Sequence, residues 1–301
     1  MPERRAPVSV VVVNWNAGAV LDACLASVAR EAADEVILVD NASTDGSTAA
    51  ARARHPSVRV VETGRNLGFS AGAIRGAAAA RGEVLVFLTP DARLAPHALG
   101  VLVDALLAVP GAGIAGGGLV DDAGRWQPGA ARFAPVAHLL LDTSLGRLPA
   151  RLRRAPHAVD WVYGTFMAVR RELFRQLGGF DTRYFVYGED LDLCHRAAAL
   201  GARTIHVPRA RAIHGRNVSA AQRFGTGRTA EVVKGEMRFY AARGGPGALG
   251  RFRAVAACKF GLETVLAAAL GRRASAASHG QVVRACLVFH PEREEVPEAV
   301  A

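Results

Sequence analysis

The sequence predicts an α/β fold: a mostly parallel central sheet flanked by helices, followed by a helical C-terminal extension. Three observations predict it. The first half alternates short β-branched runs with helical apolar spacing. Each of the three strongest runs is followed by polar residues, at "NWN" (14–16), "DNASTDGS" (40–47) and "TPDA" (89–92). The 301 residues are 50% hydrophobic and 21% charged, which is enough apolar matter for a sizeable core.

In chain order, Val8–Val13 reads as a buried strand, and Leu21, Cys24, Leu25 and Val28 then fall at i, i+3, i+4 and i+7 on one helical face. A second strand covers Glu35–Val39, a helix opens at "STDGS", and a short strand, Val58–Val61, follows His55-Pro56. Next come a helix through Ala71–Ala80, a strand Val84–Leu88 and a helix Pro96–Ala108. From about Pro110 to His157 the run of Gly, Pro and Arg has no clear period and reads as loops and short strands. The literal G-x-G-x-x-G at Gly111, Gly113 and Gly116 is preceded by a helix and Pro110 rather than by a strand. A closely packed loop or edge strand therefore fits it better than a dinucleotide site. Beyond Asp160 the pattern recovers strand, helix, turn, helix, strand. The Gly pair of "LGGFD" stops one helix, and Glu189–Leu200 starts acidic and ends at Gly201. After Gly225 the chain reads as helical and basic, then apolar from Val265 to Leu270, with a polar tail "PEREEVPEAVA".

A formal net charge of +10, from 37 basic and 27 acidic residues, favours anionic partners such as nucleotides, diphosphates or an anionic lipid surface. A nucleic-acid binder would interleave basic residues with exposed aromatics, whereas here aromatics cluster at 180–187 beside acids. Nucleic acid is not an expected partner. Cys24, Cys194, Cys258 and Cys286 have no CxxC spacing, which argues against a zinc knuckle or a disulfide framework and fits a reducing, cytoplasmic setting. The N-terminal apolar run is cut by Asn14, so it is a strand and not a signal peptide. No run reaches the roughly 18 uncharged apolar residues of a membrane span; Ala254–Leu270 contains Lys259 and Glu263.

In open α/β sheets, ligands bind beyond the carboxyl ends of the strands, so Asn14, Asn16, Asp40, Asn41 and Asp91 are site candidates. Asp40 and Asn41 either hydrogen-bond a base or ribose, or open a turn whose Ser43, Thr44 or Asp45 caps a helix. Asp91 is either a helix cap or a hard oxygen ligand for Mg²⁺ or Mn²⁺ shared with phosphate. In "YFVYGEDLDLCHRA" three carboxylates, Glu189, Asp190 and Asp192, open one helix; at about 100° per residue they do not share a face, so they are not ligands of one ion. Asp190 lies just beyond an aromatic, Gly-containing loop able to line a pocket, where a carboxylate can take a proton from an incoming hydroxyl. His214 follows a strand read as Arg203–Val207 and is either structural, part of a metal shell or a contact to a diphosphate.

Taken in order, "SVVVVNWNAG", "VDNASTDGS", "RNLGFSAG", "VFLTPDA", "GTFMAVRRELFRQLGGFD" and "YFVYGEDLDLCHRAAALG" resemble family 2 glycosyltransferases, particularly the rhamnosyltransferase-like branch, over about Val8–Ser219. The resemblance implies a GT-A fold: a catalytic domain 1–222, with a nucleotide-sugar-binding half 1–110 and an acceptor half 111–222, and a basic helical extension 223–301. It implies an inverting transferase moving a sugar, rhamnose among those expected, from a thymidine- or uridine-linked diphosphate donor to a glycan or polyprenyl-linked glycan acceptor. Such an enzyme serves bacterial cell-wall or polysaccharide synthesis. By resemblance Asp40, with Asn14, Asn16, Asn41 and Asn66, belongs to the nucleotide-sugar site. Asp91 meets the metal and diphosphate, with His214 as the second metal-side residue. Asp190 is the catalytic base with Glu189 beside it. Two departures bear on the donor: "LTPD" stands where the branch usually has "LNPD", and "GFSAGAIRG" lacks an asparagine the branch tends to carry. The basic, apolar C-terminal segment fits either a helical pair packed on the catalytic domain or a peripheral contact with the inner face of the cell membrane. The competing enzyme classes are a nucleotidyltransferase, which would want a lysine in "NWNAG", and an inactive relative, which Asp40, Asp91 and Asp190 argue against.

Overall fold

The computed structural model describes residues 6–133, 155–215, 224–245 and 247–291. Its first half is a run of crossovers: β1 (Val8–Asn14), α1 (Ala19–Val28), β2 (Glu35–Asp40), α2 (Ser47–Arg54), β3 (Arg59–Glu62), α3 (Gly68–Ala79), β4 (Val84–Leu88), β5 (Ala92–Leu94) and α4 (Ala98–Ala108). Then follow β6 (Ala112–Val120), β7 (Trp126–Gln127), β8 (Ala130–Ala131), β9 (His157–Val159), β10 (Trp161–Val162), β11 (Phe166–Arg170), α5 (Arg171–Gln176), α6 (Glu189–Ala199) and β12 (Arg203–His214). The extension is α7 (Arg228–Arg243), α8 (Ala248–Ala269) and α9 (Arg273–Val288).

One sheet runs in the order β3-β2-β1-β4-β11-β6-β12-β5, with β7 on β6 and β9 on β12. Strands β3, β2, β1 and β4 are parallel, as right-handed crossovers through helices require; β11 enters antiparallel between β4 and β6, and β12 returns parallel to β6. Period-2 alternation explains why β1 is apolar throughout: Val8, Val10 and Val12 face one core, and Val11 and Val13 face the other. Helices α1 and α4 cover the first face. Helix α3 covers the second and sits very close, since a Cβ at Gly76 would come 2.3 Å from Val11. The same second core takes in Phe239, Phe252 and Phe260, so α7 and α8 are packed on the α/β body and share its interior.

Two expectations are corrected. The glycine-rich 111–118 segment is neither loop nor edge: β6 is an interior strand between β11 and β12. Its glycines admit large neighbours, because a Cβ would lie 2.4 Å from Val162 at Gly116 and 2.2 Å from Phe166 at Gly117. Without β-branched residues, such a strand has no period to read. Strand β12 also runs on past Val207 to His214, crossing Pro208 at a shift of register where a ladder donor is not needed. The polar tail and most of the 110–157 loop region lie outside the described residues.

Candidate active site

The carboxyl ends of β1, β2 and β4 open into a cleft of about 790 Å³, walled by Trp15, Asn41, Asn66, Phe69 and the Thr89–Asp91 turn. Phe185, Val186 and Tyr187 line the opposite side, with Thr165, His214 and Phe224. The aromatic loop is seated on α3, where Phe69 N–H donates to the Phe185 carbonyl (2.7 Å) and Gly68, at φ 79°, leaves the space a Cβ would deny that carbonyl.

At the nucleotide end, the expected residues divide into wall and support. Asn41 and Asn66 line the cleft; Asn41 Nδ2 donates to the Gly68 carbonyl (2.8 Å) and Asn66 Oδ1 accepts from Gly68 N–H (3.0 Å). Asn14 is fully buried and off the wall, its Nδ2 within 3.0–3.1 Å of the Ser43, Ser47 and Thr48 hydroxyls. Asn16 Oδ1 accepts from Thr44 N–H (2.7 Å), and Asp40 Oδ1 from Ser43 N–H (3.2 Å). These three side chains hold the 41–47 loop. Asp45 supplies the acceptor for α2, taking Ser47 N–H at 3.0 Å.

At the acidic end, Asp91 and His214 both line the cleft, with His214 Nε2 3.6 Å from Asp91 Oδ1. Gln127 fixes the ring. Its Nε2 donates to the His214 carbonyl (3.2 Å), which turns its Oε1 toward His214 Nδ1 (3.0 Å). Nδ1 therefore carries the proton and Nε2 presents a lone pair. Burial lowers the imidazole's pKa, with Arg228 adding and Asp91 opposing, so the ring is neutral near pH 7. Asp91 Oδ1 and His214 Nε2 thus present an oxygen and a nitrogen donor to the same part of the cleft, a pair that would suit a divalent cation. Among the described residues no third His, Cys, Asp or Glu completes a cage, which leaves any remaining coordination to a ligand.

The three carboxylates of α6 are all buried, so none is a solvated helix-end charge. None of the three is among the residues that line the cleft, and Asp192 accepts from Arg196 Nε (2.6 Å) and Arg243 Nε (3.0 Å), binding α6 to α7. Asp190 is held by N–H donors from Gly164 (2.9 Å) and Leu191 (2.8 Å), and Gly164 precedes the wall residue Thr165. Glu189 Oε2 is buried with no hydrogen-bond partner among the described residues. Burial, then the Asp190 charge, raises the Glu189 pKa well above the usual carboxylate range; burial raises that of Asp190, against its backbone donors. Burial thus favours the neutral form of both carboxyls, and more strongly that of Glu189, which also faces the Asp190 charge.

Tyr187 joins the two ends. Burial raises its phenol pKa, and the charges of both Glu189 and Asp91 add to that, while Arg228 opposes it and donates Nε–H to the Tyr187 hydroxyl at 3.3 Å. Arg228 opens α7, so the extension delivers a guanidinium to the Tyr187 edge of the cleft. Tyr187 itself holds φ 67°, a conformation costly for a non-glycine residue. Sequence reasoning missed Trp15, Thr165, Phe224 and Arg228. Trp15, between two asparagines at a strand end, was findable; Phe224 and Arg228 depend on how the extension folds back.

The family profile described as Glycosyl transferase family 2 matches residues 9–178. The N-acetylglucosaminyl-diphospho-decaprenol L-rhamnosyltransferase of Mycobacterium tuberculosis is 34% identical over 230 residues, covering 68% of this chain and 75% of that protein. Rhamnosyltransferase WbbL of Escherichia coli K12 is 38% identical over 79 residues, 26% of this chain and 30% of its own. In fold, the chain is similar to the mannosyltransferase PcManGT of Pyrobaculum calidifontis, solved with GDP-Man and Mn²⁺. The TM-score is 0.59 at 21% identity, covering 97% of this chain and 89% of that one. With the profile spanning more than half of the sequence and a rhamnosyltransferase aligned over two thirds of it, the chain belongs to glycosyl transferase family 2 and is a glycosyltransferase of its rhamnosyltransferase branch.

Proposed function

We propose that this glycosyltransferase moves a sugar, rhamnose by its relatives, with inversion from a thymidine- or uridine-linked diphosphate donor to a hydroxyl of a polyprenyl-linked glycan, working at the inner face of the cell membrane. The observation that carries the proposal is the pair of facing acceptors, Asp91 and His214 Nε2, in the same cleft whose far wall backs onto the buried Asp190 carboxylate. Inverting transfer needs those two ends: a base for the acceptor hydroxyl on one side of the sugar, and positive charge for the leaving diphosphate on the other.

Asn41 and Asn66 offer amide groups to the base and ribose, on a loop held by Asn14, Asn16 and Asp40. Asp190, oriented by Gly164 and Leu191 N–H, takes the acceptor proton as the hydroxyl oxygen forms its bond to the anomeric carbon. The bond from that carbon to the diphosphate oxygen breaks, and the electron pair leaves with the nucleoside diphosphate. Asp91 and His214 would hold Mg²⁺ or Mn²⁺, which acts when bound as a Lewis acid on the diphosphate. Arg228 adds a fixed guanidinium on the same side.

Calorimetric titration with dTDP, UDP and GDP, with and without Mn²⁺, on the wild type and on Asp91→Ala tests the assignment. Metal-dependent binding of one nucleotide, lost in Asp91→Ala, is expected. Binding that ignores both the metal and the substitution would overturn the donor site.

A further inference from the structure

Helix α8 has two apolar faces where a packed helix needs one. Phe252, Ala256, Phe260 and Ala267 are buried against the protein. Beside that buried face Leu262, Val265, Leu266 and Leu270 stand 62%, 66%, 52% and 66% exposed, at i, i+3, i+4 and i+8. Surface aliphatics scattered singly need no explanation, but four on one stripe do. At its end the stripe turns through Gly271 into Arg272 and Arg273, both exposed, and the exposed run 268–275 contains no acid. Residues 224–291 hold ten Lys or Arg against three Glu, so this part of the extension is strongly basic.

We infer that the end of α8 and its turn into α9 form a docking wedge for an anionic phospholipid bilayer, the four aliphatic side chains entering the headgroup boundary and Arg272 and Arg273 meeting lipid phosphates. Charge decides between a bilayer and a second copy: a twofold contact over this patch would set one Arg pair against the other. Size agrees, because the stripe is about 12 Å long on a rod about 10 Å wide, far below the roughly 800 Å² per partner of a stable interface. The wedge is a surface anchor and not a span, since no described helix is long and apolar enough to cross a membrane. Its position also fits the site. Gln281 of α9 donates to Thr226 Oγ1 (3.2 Å), two residues from the cleft residue Phe224, and Arg273 lies eight residues back along that helix, about 12 Å away. A bilayer at the wedge would thus lie within reach of a sugar diphosphate on a lipid carrier. That last point alone rests on the proposed acceptor; the contact itself does not.

Flotation with vesicles of phosphatidylcholine, alone or mixed with phosphatidylglycerol, tests the wedge on the full chain. The wild type should bind the anionic vesicles and release in high salt. Leu266→Asp with Leu270→Asp should lose binding at least tenfold, and Leu200→Asp, an exposed leucine elsewhere, should not. Nucleotide titration of the same variants should match the wild type, which separates failure of the wedge from failure of the donor site. Wild-type protein that ignores anionic vesicles, a double variant that still floats, or a wild-type dimer made monomeric by the double substitution would each overturn the inference.

Discussion

Gly235→Ala tests whether the C-terminal extension shapes the active site. Gly235 lies inside α7, where alanine is worth up to ~1 kcal/mol over glycine, so helix propensity alone forecasts a more stable protein. Packing forecasts the opposite. A Cβ at Gly235 would stand 2.2 Å from the Tyr187 carbonyl oxygen and 2.7 Å from its carbon, both backbone atoms with no rotamer to yield. Reaching ordinary contact at 3.4 Å requires about 1.2 Å of separation between α7 and the Tyr187–Gly188 turn. Overpacking of this kind costs about 1–3 kcal/mol, so the net loss is up to ~2 kcal/mol and the melting temperature falls by a few degrees. The functional effect is larger, because that turn places Tyr187 between the carboxylate pair and Asp91, and a shift of about 1 Å in a site costs on the order of 10²-fold in turnover. Thermal melting and single-turnover rates measure the two effects. Gly261→Ala in α8, with nothing within 4 Å of its Cβ, should instead stabilise by about 0.5–1 kcal/mol. If Gly235→Ala melts at or above wild type and turns over normally, the close approach has no functional meaning.

Asp190→Asn should keep nucleotide affinity while lowering kcat by about 10²–10⁴-fold, read by titration and initial rates; equal losses in binding would make Asp190 a donor ligand instead. Arg228→Leu should weaken nucleoside diphosphate binding roughly tenfold to a hundredfold and leave nucleoside binding unchanged, the signature of a lost charge-assisted contact to phosphate. Glu189 holds its proton in the folded state to a higher pH than in the unfolded chain, so its contribution to stability is full in acid and is lost as pH rises through the raised pKa. Glu189→Gln should therefore gain on the wild type in melting temperature as pH rises above the ordinary carboxylate range, and a gap that does not change with pH would contradict the assignment. Asp192→Ala leaves Arg196 and Arg243 without their shared carboxylate. The cost is about 3 kcal/mol, at the low end for a broken buried pair because both guanidiniums reach water, and denaturant unfolding measures it.

The fold was legible where one physical signal dominated. Leu21, Cys24, Leu25 and Val28 form the buried face of α1 as their spacing required, and Val84–Leu88 is β4 to the residue. The cleft was legible for a topological reason: parallel strands end together, so polar residues after β1, β2 and β4 had to meet. Spacing could not tell a wall from its supports. Asn14 pairs across the ladder with Asp40 yet turns into three hydroxyls, a choice set by Ser43 of the β2–α2 connection and by Ser47 and Thr48 at the start of α2. Strand β6 was invisible because its glycines answer to Val162 and Phe166, distant in sequence.

A boundary near residue 222 is natural by composition, since the chain turns basic and helical there. Three of the contacts that cross it are Gly235 against the Tyr187 carbonyl, Arg243 on Asp192, and Arg228 on the Tyr187 hydroxyl. All three converge on residues 187–192, the turn and first helical turn that carry the proposed base. Tyr187 pays for a left-handed backbone and Glu189 for an unpartnered buried oxygen, strains that persist only where surrounding packing over-determines them. Helix α7 supplies that packing from one side and α3, through Phe69 and Phe185, from the other. The extension is therefore the element that holds the acidic turn in its working shape, and its guanidinium and any bilayer contact reach the chemistry through the same helix hairpin.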